Sequence, residues 1–99
     1  MSAYIVFIRK SLTNKDEMKQ YSKLAKQASE GHTIKPIVFY GAVEPLENIE
    51  TDGVAILEFP NMAEARAWYE SPAYQQAKQH RNLAAEYMVF LTEGLHRDG

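Results

Sequence analysis

The sequence is 99 residues long, 45% hydrophobic and 24% charged, which sets the scale at one folded domain and excludes a disordered chain. With 11 Lys and Arg against 13 Asp and Glu the net charge is -2, against the basic face of a nucleic-acid binder. Cysteine is absent, so disulfides, thiolate metal sites and cysteine nucleophiles are excluded. The apolar run Ala3–Ile8 is rich in β-branched and aromatic residues and too short for a helix, so it predicts a strand ending at Arg9-Lys10. Asn14 with Glu17 three residues on makes a capping box, with Thr13 and Asp16 as the competing register. Met18, Tyr21, Leu24, Ala25 and Ala28 then recur at helical spacing, and Gly31 is a natural stop. A second strand is expected over Ile34–Tyr40, and Pro36, which cannot donate to a ladder, predicts an edge or a strand start.

The acidic stretch Gly41–Gly53 reads as a long connection closed by the turn pair Asp52-Gly53. Its four carboxylates match no calcium loop. Val54–Phe59 predicts a third strand stopped by Pro60. Asn61 with Glu64 opens a further helix, and Ser71-Pro72 restarts it as N-cap and first helical residue. Tyr87–Leu91 is the last strand expected, halted by Glu93-Gly94, and the tail 96–99 is expected to be mobile. The order β-α-β-β-α-β, with the second helix broken in two, predicts an α+β, ferredoxin-like domain over 1–95 with a four-stranded antiparallel sheet.

A sheet with helices on one face and water on the other should alternate apolar with polar. These strands do not. Tyr4, Val6 and Ile8 oppose Ile5 and Phe7; Val54 and Ile56 oppose Ala55, Leu57 and Phe59; Tyr87, Val89 and Leu91 oppose Met88 and Phe90. Both faces want to be dry, and the chain has helices for one. The expected remedy is a homodimer packed sheet against sheet about a twofold axis, two halves making one barrel. The alternative, a monomer covered by the 41–53 stretch through Leu46 and Ile49, asks a short acidic loop to cover a whole sheet.

Glu58-Phe59-Pro60, the run Trp68-Tyr69-x-Ser71-Pro72-x-Tyr74, Arg81 and Glu93-Gly94 carry a family resemblance. The chain resembles the bacterial family called domain of unknown function 1330, in the dimeric α+β barrel superfamily, over nearly its whole length. The resemblance implies a ferredoxin-like subunit and sheet-to-sheet dimerisation, but no reaction. The superfamily includes cofactor-free monooxygenases, isomerases of lactone-like substrates, haem-binding members and non-catalytic ligand binders. Where members of the family carry Arg-Gly-Gly after the second strand, this chain has Tyr40-Gly41-Ala42, and the glycine-rich segment after the first helix is reduced to Gly31-His32-Thr33.

Arg81 is the leading candidate for chemistry, matching the family arginine, because a guanidinium facing a cavity holds a carboxylate or enolate in bidentate geometry. The structural alternative is a cation at a helix C-terminus or an ion pair with Glu58. Glu58 interrupts an apolar strand, where a carboxylate has a raised pKa and serves as general acid or base; otherwise it is a structural carboxylate at a strand end, paired with Arg81 or Arg9, or simply solvated. His32 is a candidate base if it points into a pocket beside Tyr40, or else a surface residue. Tyr40, Trp68 and Tyr74 are candidate substrate-binding residues, with core packing as the alternative. The three histidines show no metal-ligand spacing, so neither a metal nor another cofactor is expected. A haem held by one histidine has no positive support.

Two functional readings follow. One is a homodimeric small-molecule binder, extending to a cofactor-independent acid–base enzyme of isomerase or monooxygenase type. The other is a non-catalytic binding or structural module. Neither nucleic acid nor membrane is an expected partner. With no apolar run near the ~20 residues that span a bilayer and no signal-peptide pattern, the expected location is cytoplasmic.

Overall fold

The computed structural model describes residues 1–95; the expected mobile tail 96–99, with His96, lies outside the described residues. Seven elements follow in order: β1 (Ala3–Leu12), α1 (Lys15–Ala28), β2 (Lys35–Phe39), β3 (Gly53–Phe59), α2 (Met62–Glu70), α3 (Pro72–Ala84) and β4 (Ala85–Glu93). They form a four-stranded antiparallel sheet of order β2-β3-β1-β4, the ferredoxin-like arrangement expected from the element order. Pro36 lies on the edge strand β2, where its missing N–H breaks no central ladder, and pairing with β3 is irregular between Pro36 and Val38.

The helix starts are set by their caps. Asn14 accepts a hydrogen bond from the Glu17 N–H at 3.1 Å, so the Asn14 register prevails over Thr13. Asn61 accepts from Glu64 N–H at 2.8 Å. Ser71 Oγ accepts from Tyr74 N–H and donates to the Trp68 carbonyl, holding both sides of the break between α2 and α3. Gly31, beyond the end of α1, takes φ +82°, the left-handed conformation that glycine adopts without steric cost.

Two strands run further than expected. β1 continues past Arg9-Lys10 to Leu12, because Arg9 still pairs with Gly53 and Tyr87 and Leu12 pairs with Ala85 across a bulge. β4 starts at Ala85 rather than Tyr87, directly from α3; the Ala84 carbonyl there accepts the Thr13 and Asn14 N–H groups.

Residue alternation divides the sheet as the sequence predicts. Ala3, Ile5, Phe7, Ala55 and Phe59 are buried beneath the helices and form the core with Tyr21, Ala65, Trp68, Tyr74 and Ala77. On the outer face Val6, Ile8, Val54 and Ile56 are half-buried, while Met88 and Phe90 remain exposed. Helix α1 packs chiefly against α3. It stands off the β2–β3 half of the sheet, and that separation creates the site described next.

Candidate functional site

Between α1 and the β2–β3 half of the sheet lies a cavity of about 430 Å³, walled largely by apolar groups. Phe7, Leu57 and Trp68 form its floor, Tyr21 and Ala25 its α1 side, and Phe39 and Tyr40 its edge. The volume falls in the range of small-molecule pockets. A larger depression of about 680 Å³ lies near the 41–52 connection, beside Ile8 and Met88. Its lining is more polar, with Lys10 paired to Glu50 and Glu86 at its rim. The smaller cavity is the better site.

The helix break builds the inner wall. Ser71 and Pro72 start α3 so that Tyr74 stacks on Trp68 with ring centroids 4.2 Å apart. Phe59 and Phe7 close on Trp68 from the sheet at 5.5 and 6.5 Å. Tyr74 is fully buried and Trp68 is 1% exposed, yet the indole Nε1–H has no acceptor. Two turns along α3, Arg81 is also buried. It donates from Nη1 to the Tyr74 hydroxyl at 3.0 Å and lies over the rings of Tyr87 and Phe7 at 5.3 and 5.8 Å. Tyr74 in turn shares a 2.9 Å hydrogen bond with Tyr21 across to α1. Burial works against the Arg81 cation, but the Tyr74 and Tyr21 phenols outweigh it and its pKa sits above the ordinary arginine value.

A second phenol pair closes the other side. Tyr40 and Tyr87 hydroxyls lie 2.8 Å apart, and Tyr87 donates weakly to Met18 Sδ at 4.0 Å. Tyr40 sits at φ +56°, a left-handed conformation that costs a non-glycine residue about 1–2 kcal/mol. Its ring lies against Gly53 so closely that a Cβ there would come within 2.7 Å of Tyr40 Cδ1. Above the ring, 4.8 Å from its centroid, lies the Arg9 guanidinium, which also pairs with Asp52 at 2.5 Å. Arg9 thus stands over Tyr40, the residue at which this chain departs from the Arg-Gly-Gly run of the family resemblance. Burial, reinforced by neighbouring phenols, pushes Tyr21 well above the usual tyrosine range, and burial and the Tyr87 hydrogen bond push Tyr40 up as well. For Tyr74 burial outweighs the opposing pull of Arg81. All three remain neutral hydroxyls at physiological pH.

The six candidate residues do not converge. Tyr40 and Trp68 line the cavity, and Tyr74 and Arg81 stand immediately behind its wall. Glu58 is on the opposite face of the sheet. It accepts a 2.8 Å hydrogen bond from its cross-strand neighbour Tyr4, with Lys35 opposite it on β2. The expected pairing of Glu58 with Arg81 or Arg9 is therefore corrected: even-numbered residues of β3 point away from the helices, while Arg81 and Arg9 lie on the helix side. His32 sits in the turn after α1, its N–H bonded to the Ser29 carbonyl, and is not among the residues lining the cavity. His80 hydrogen-bonds Glu17 at 2.6 Å and ties α3 to α1. Among the described residues no three His, Asp or Glu side chains gather as a metal site, and no helix is long and apolar enough to cross a membrane.

Tyr21, Tyr87 and Arg9 were not foreseen at the site. Tyr21 reads as one more member of an apolar stripe, though a buried hydroxyl demands a partner. Arg9 reads as the end of β1; once that strand is continued, its period of two sets Arg9 on the face of Phe7.

The model for the family described as domain of unknown function 1330 (DUF1330) matches residues 2–95. The chain belongs to that family. No curated protein matches the sequence, but solved structures share its fold. A protein of unknown function from Rhodopseudomonas palustris is 17% identical, with a TM-score of 0.62 over 97% of this chain and 84% of its own. A dimeric ferredoxin-like protein of unknown function from Jannaschia sp. CCS1 is 15% identical, with a TM-score of 0.64 over 95% of this chain and 100% of its own. SnoaB, a cofactor-independent oxygenase from Streptomyces nogalater, is 7% identical, with a TM-score of 0.60 over 97% of this chain and 94% of its own. At these identities the likeness is one of fold.

Proposed function

We propose that this DUF1330 protein is a homodimer, joined through the outer faces of its sheets, that binds a small and mostly apolar organic molecule in the α1–β2–β3 cavity of each subunit. The observation that carries the binding reading is the cavity itself: about 430 Å³, floored by Phe7, Leu57 and Trp68, with two phenols on its walls. A flat hydrocarbon skeleton suits such walls, since each buried CH2 contributes about 0.8 kcal/mol. The dimer is supported by the apolar outer face and by the dimeric state of the ferredoxin-like neighbour from Jannaschia.

Non-catalytic binding is the reading favoured over acid–base catalysis. Arg81, Glu58 and His32 are separated by the sheet and by the Tyr74 wall, so they offer no common point to a reacting atom. The protonated phenols provide neutral hydrogen-bonding groups rather than a base. Trp68 is the chain's one tryptophan, so its indole cross-peak in a 15N–1H spectrum reports directly on the cavity floor. Titration with tetralin is expected to shift that cross-peak saturably, together with the amides of Tyr21, Ala25 and Leu57. A spectrum unmoved up to the solubility limit of tetralin overturns the binding reading.

A further inference from the structure

The hydrogen bonds behind the cavity have a direction. Arginine carries donors and no acceptor, so the Tyr74 oxygen accepts from Arg81 at 3.0 Å. Tyr74 is fully buried, and its own O–H must also find an acceptor. The oxygen in reach is that of Tyr21, 2.9 Å away. Were Tyr21 to donate instead, the Tyr74 proton would be stranded in the core. The chain therefore runs Arg81 to Tyr74 to Tyr21, and the Tyr21 proton is left with no acceptor among the described residues.

Tyr21 lines the α1–β2–β3 cavity. An unsatisfied buried donor costs roughly 1–3 kcal/mol, so the Tyr21 proton left over by this chain is a standing demand for an acceptor from outside the protein. The buried Trp68 Nε1–H and Arg81 Nε–H also lack acceptors, but they present no accessible surface to a ligand. The cation lining the cavity is the exposed Lys26, at the α1 side, while Arg9 is engaged by Asp52.

We infer that the cavity selects a neutral carbonyl compound, a ketone or quinone on a flat apolar skeleton, whose oxygen accepts from Tyr21. Arg81 is a positioning residue: it fixes the orientation of the Tyr74 hydroxyl and so turns the Tyr21 proton toward the ligand. This rests on the binding reading above and adds the ligand's chemical class to it.

The test compares 1-tetralone with tetralin, which differ by one carbonyl, and with 1,2,3,4-tetrahydro-1-naphthoate, which carries a carboxylate. Calorimetry on the full chain is expected to give 1-tetralone about tenfold tighter than tetralin, the worth of one good hydrogen bond to an otherwise unsatisfied donor. Tyr21→Phe should bring the ratio of the two affinities close to one. The carbonyl stretch of bound 1-tetralone should lie at lower frequency in the wild type than in Tyr21→Phe. Arg81→Met lets Tyr21 donate to Tyr74 instead, so it should also erase the ketone preference, and Arg81→Lys, which still donates, should restore it. A purely structural arginine would lower both affinities together. Equal wild-type affinity for ketone and tetralin overturns the donor assignment and leaves the cavity standing. A carboxylate bound more tightly than the ketone overturns the choice of a neutral ligand. Failure of both tetralin and 1-tetralone to bind overturns the cavity reading, and this inference with it.

Discussion

The two faces of the sheet are made from alternate residues of the same strands, but they are finished in different ways. On the helix side, Phe7, Trp68 and Tyr74 are at most 2% exposed, and even a guanidinium is buried among phenols and rings. On the outer side, Met88 is 57% and Phe90 48% exposed in the single chain. Each face also carries a tyrosine hydrogen-bonded to a polar partner. Outside, the pair is Tyr4 with Glu58, between adjacent strands. Inside, Tyr21 and Tyr74 connect α1 to α3, and Tyr40 and Tyr87 connect opposite edges of the sheet. The inner hydroxyls span a cavity, whereas the outer pair braces one ladder. The difference teaches that aromatic and charged residues in β strands take their meaning from the face they occupy.

The comparison breaks most sharply when one large side chain is changed on each face. Trp68→Ala should cost about 3–5 kcal/mol of folding free energy, the usual range for removing a fully buried aromatic. Urea denaturation measures it. Phe90→Glu should leave the fold intact, with a native far-UV circular dichroism spectrum, because that side chain is not part of the protomer's core. It should nevertheless abolish association, since burying an unpaired carboxylate at an interface costs several kcal/mol. Sedimentation equilibrium is expected to give twice the 11.3 kDa chain mass for the wild type and the single-chain mass for Phe90→Glu. A wild type at the single-chain mass removes the contrast between a face completed within the chain and a face completed by a copy.

Alkaline titration probes the inner face through its buried phenols. Tyr21, Tyr40 and Tyr74 all have folded pKa values raised above the ordinary 10.0. Below about pH 10 both folded and unfolded chains keep these protons. Above it the unfolded chain releases protons that the folded chain retains, so stability falls as pH rises, by roughly 1.4 kcal/mol per phenol per pH unit until the folded groups ionise. Urea denaturation between pH 9 and 11 should show this decline, with a shallower slope in the double variant Tyr21→Phe, Tyr40→Phe. An unchanged slope would mean that these two hydroxyls ionise as readily in the fold as in solution.

Much of the fold was legible because it rests on local rules. The Asn14, Asn61 and Ser71 caps, the edge placement of Pro36 and the alternation of β1, β3 and β4 each depend on a few neighbouring residues, and all appear where the sequence predicts them. The cavity was less legible. Its position depends on α1 leaning toward α3 and away from β2, a long-range packing outcome that no local pattern encodes. The period of two sets Glu58 on the face of Val54 and Ile56, but its separation from Arg81 follows only once the helices are placed on the other face. Tyr40 was a candidate, yet its left-handed backbone and its close approach to Gly53 are tertiary features. Tyr21 lay in plain view on an apolar stripe, and only its bond to Tyr74 distinguishes it from the leucine and alanines beside it.

The smallest expected effect comes from the cavity's outer corner, where the inner face gives way to solvent. Asp52 bonds Arg9 and the Leu12 N–H, and these interactions overcome its desolvation to hold its pKa below the ordinary 3.8. A carboxyl with a depressed folded pKa contributes stability that is present above the unfolded value and lost as pH falls through the folded one. The carboxylate is 39% exposed, so solvent screens the pair, and exposed ion pairs contribute about 0.2–1 kcal/mol. Asp52→Asn should therefore lower Tm slightly at pH 7, and the gap from the wild type should close as pH falls below about 4. Arg9 also stacks on Tyr40, so the same substitution reads the coupling between corner and cavity. If the carboxylate holds Arg9 over the ring, Asp52→Asn shifts the aromatic proton resonances of Tyr40 at pH 7. If the stacking holds Arg9 by itself, Tm moves while those resonances stay in place.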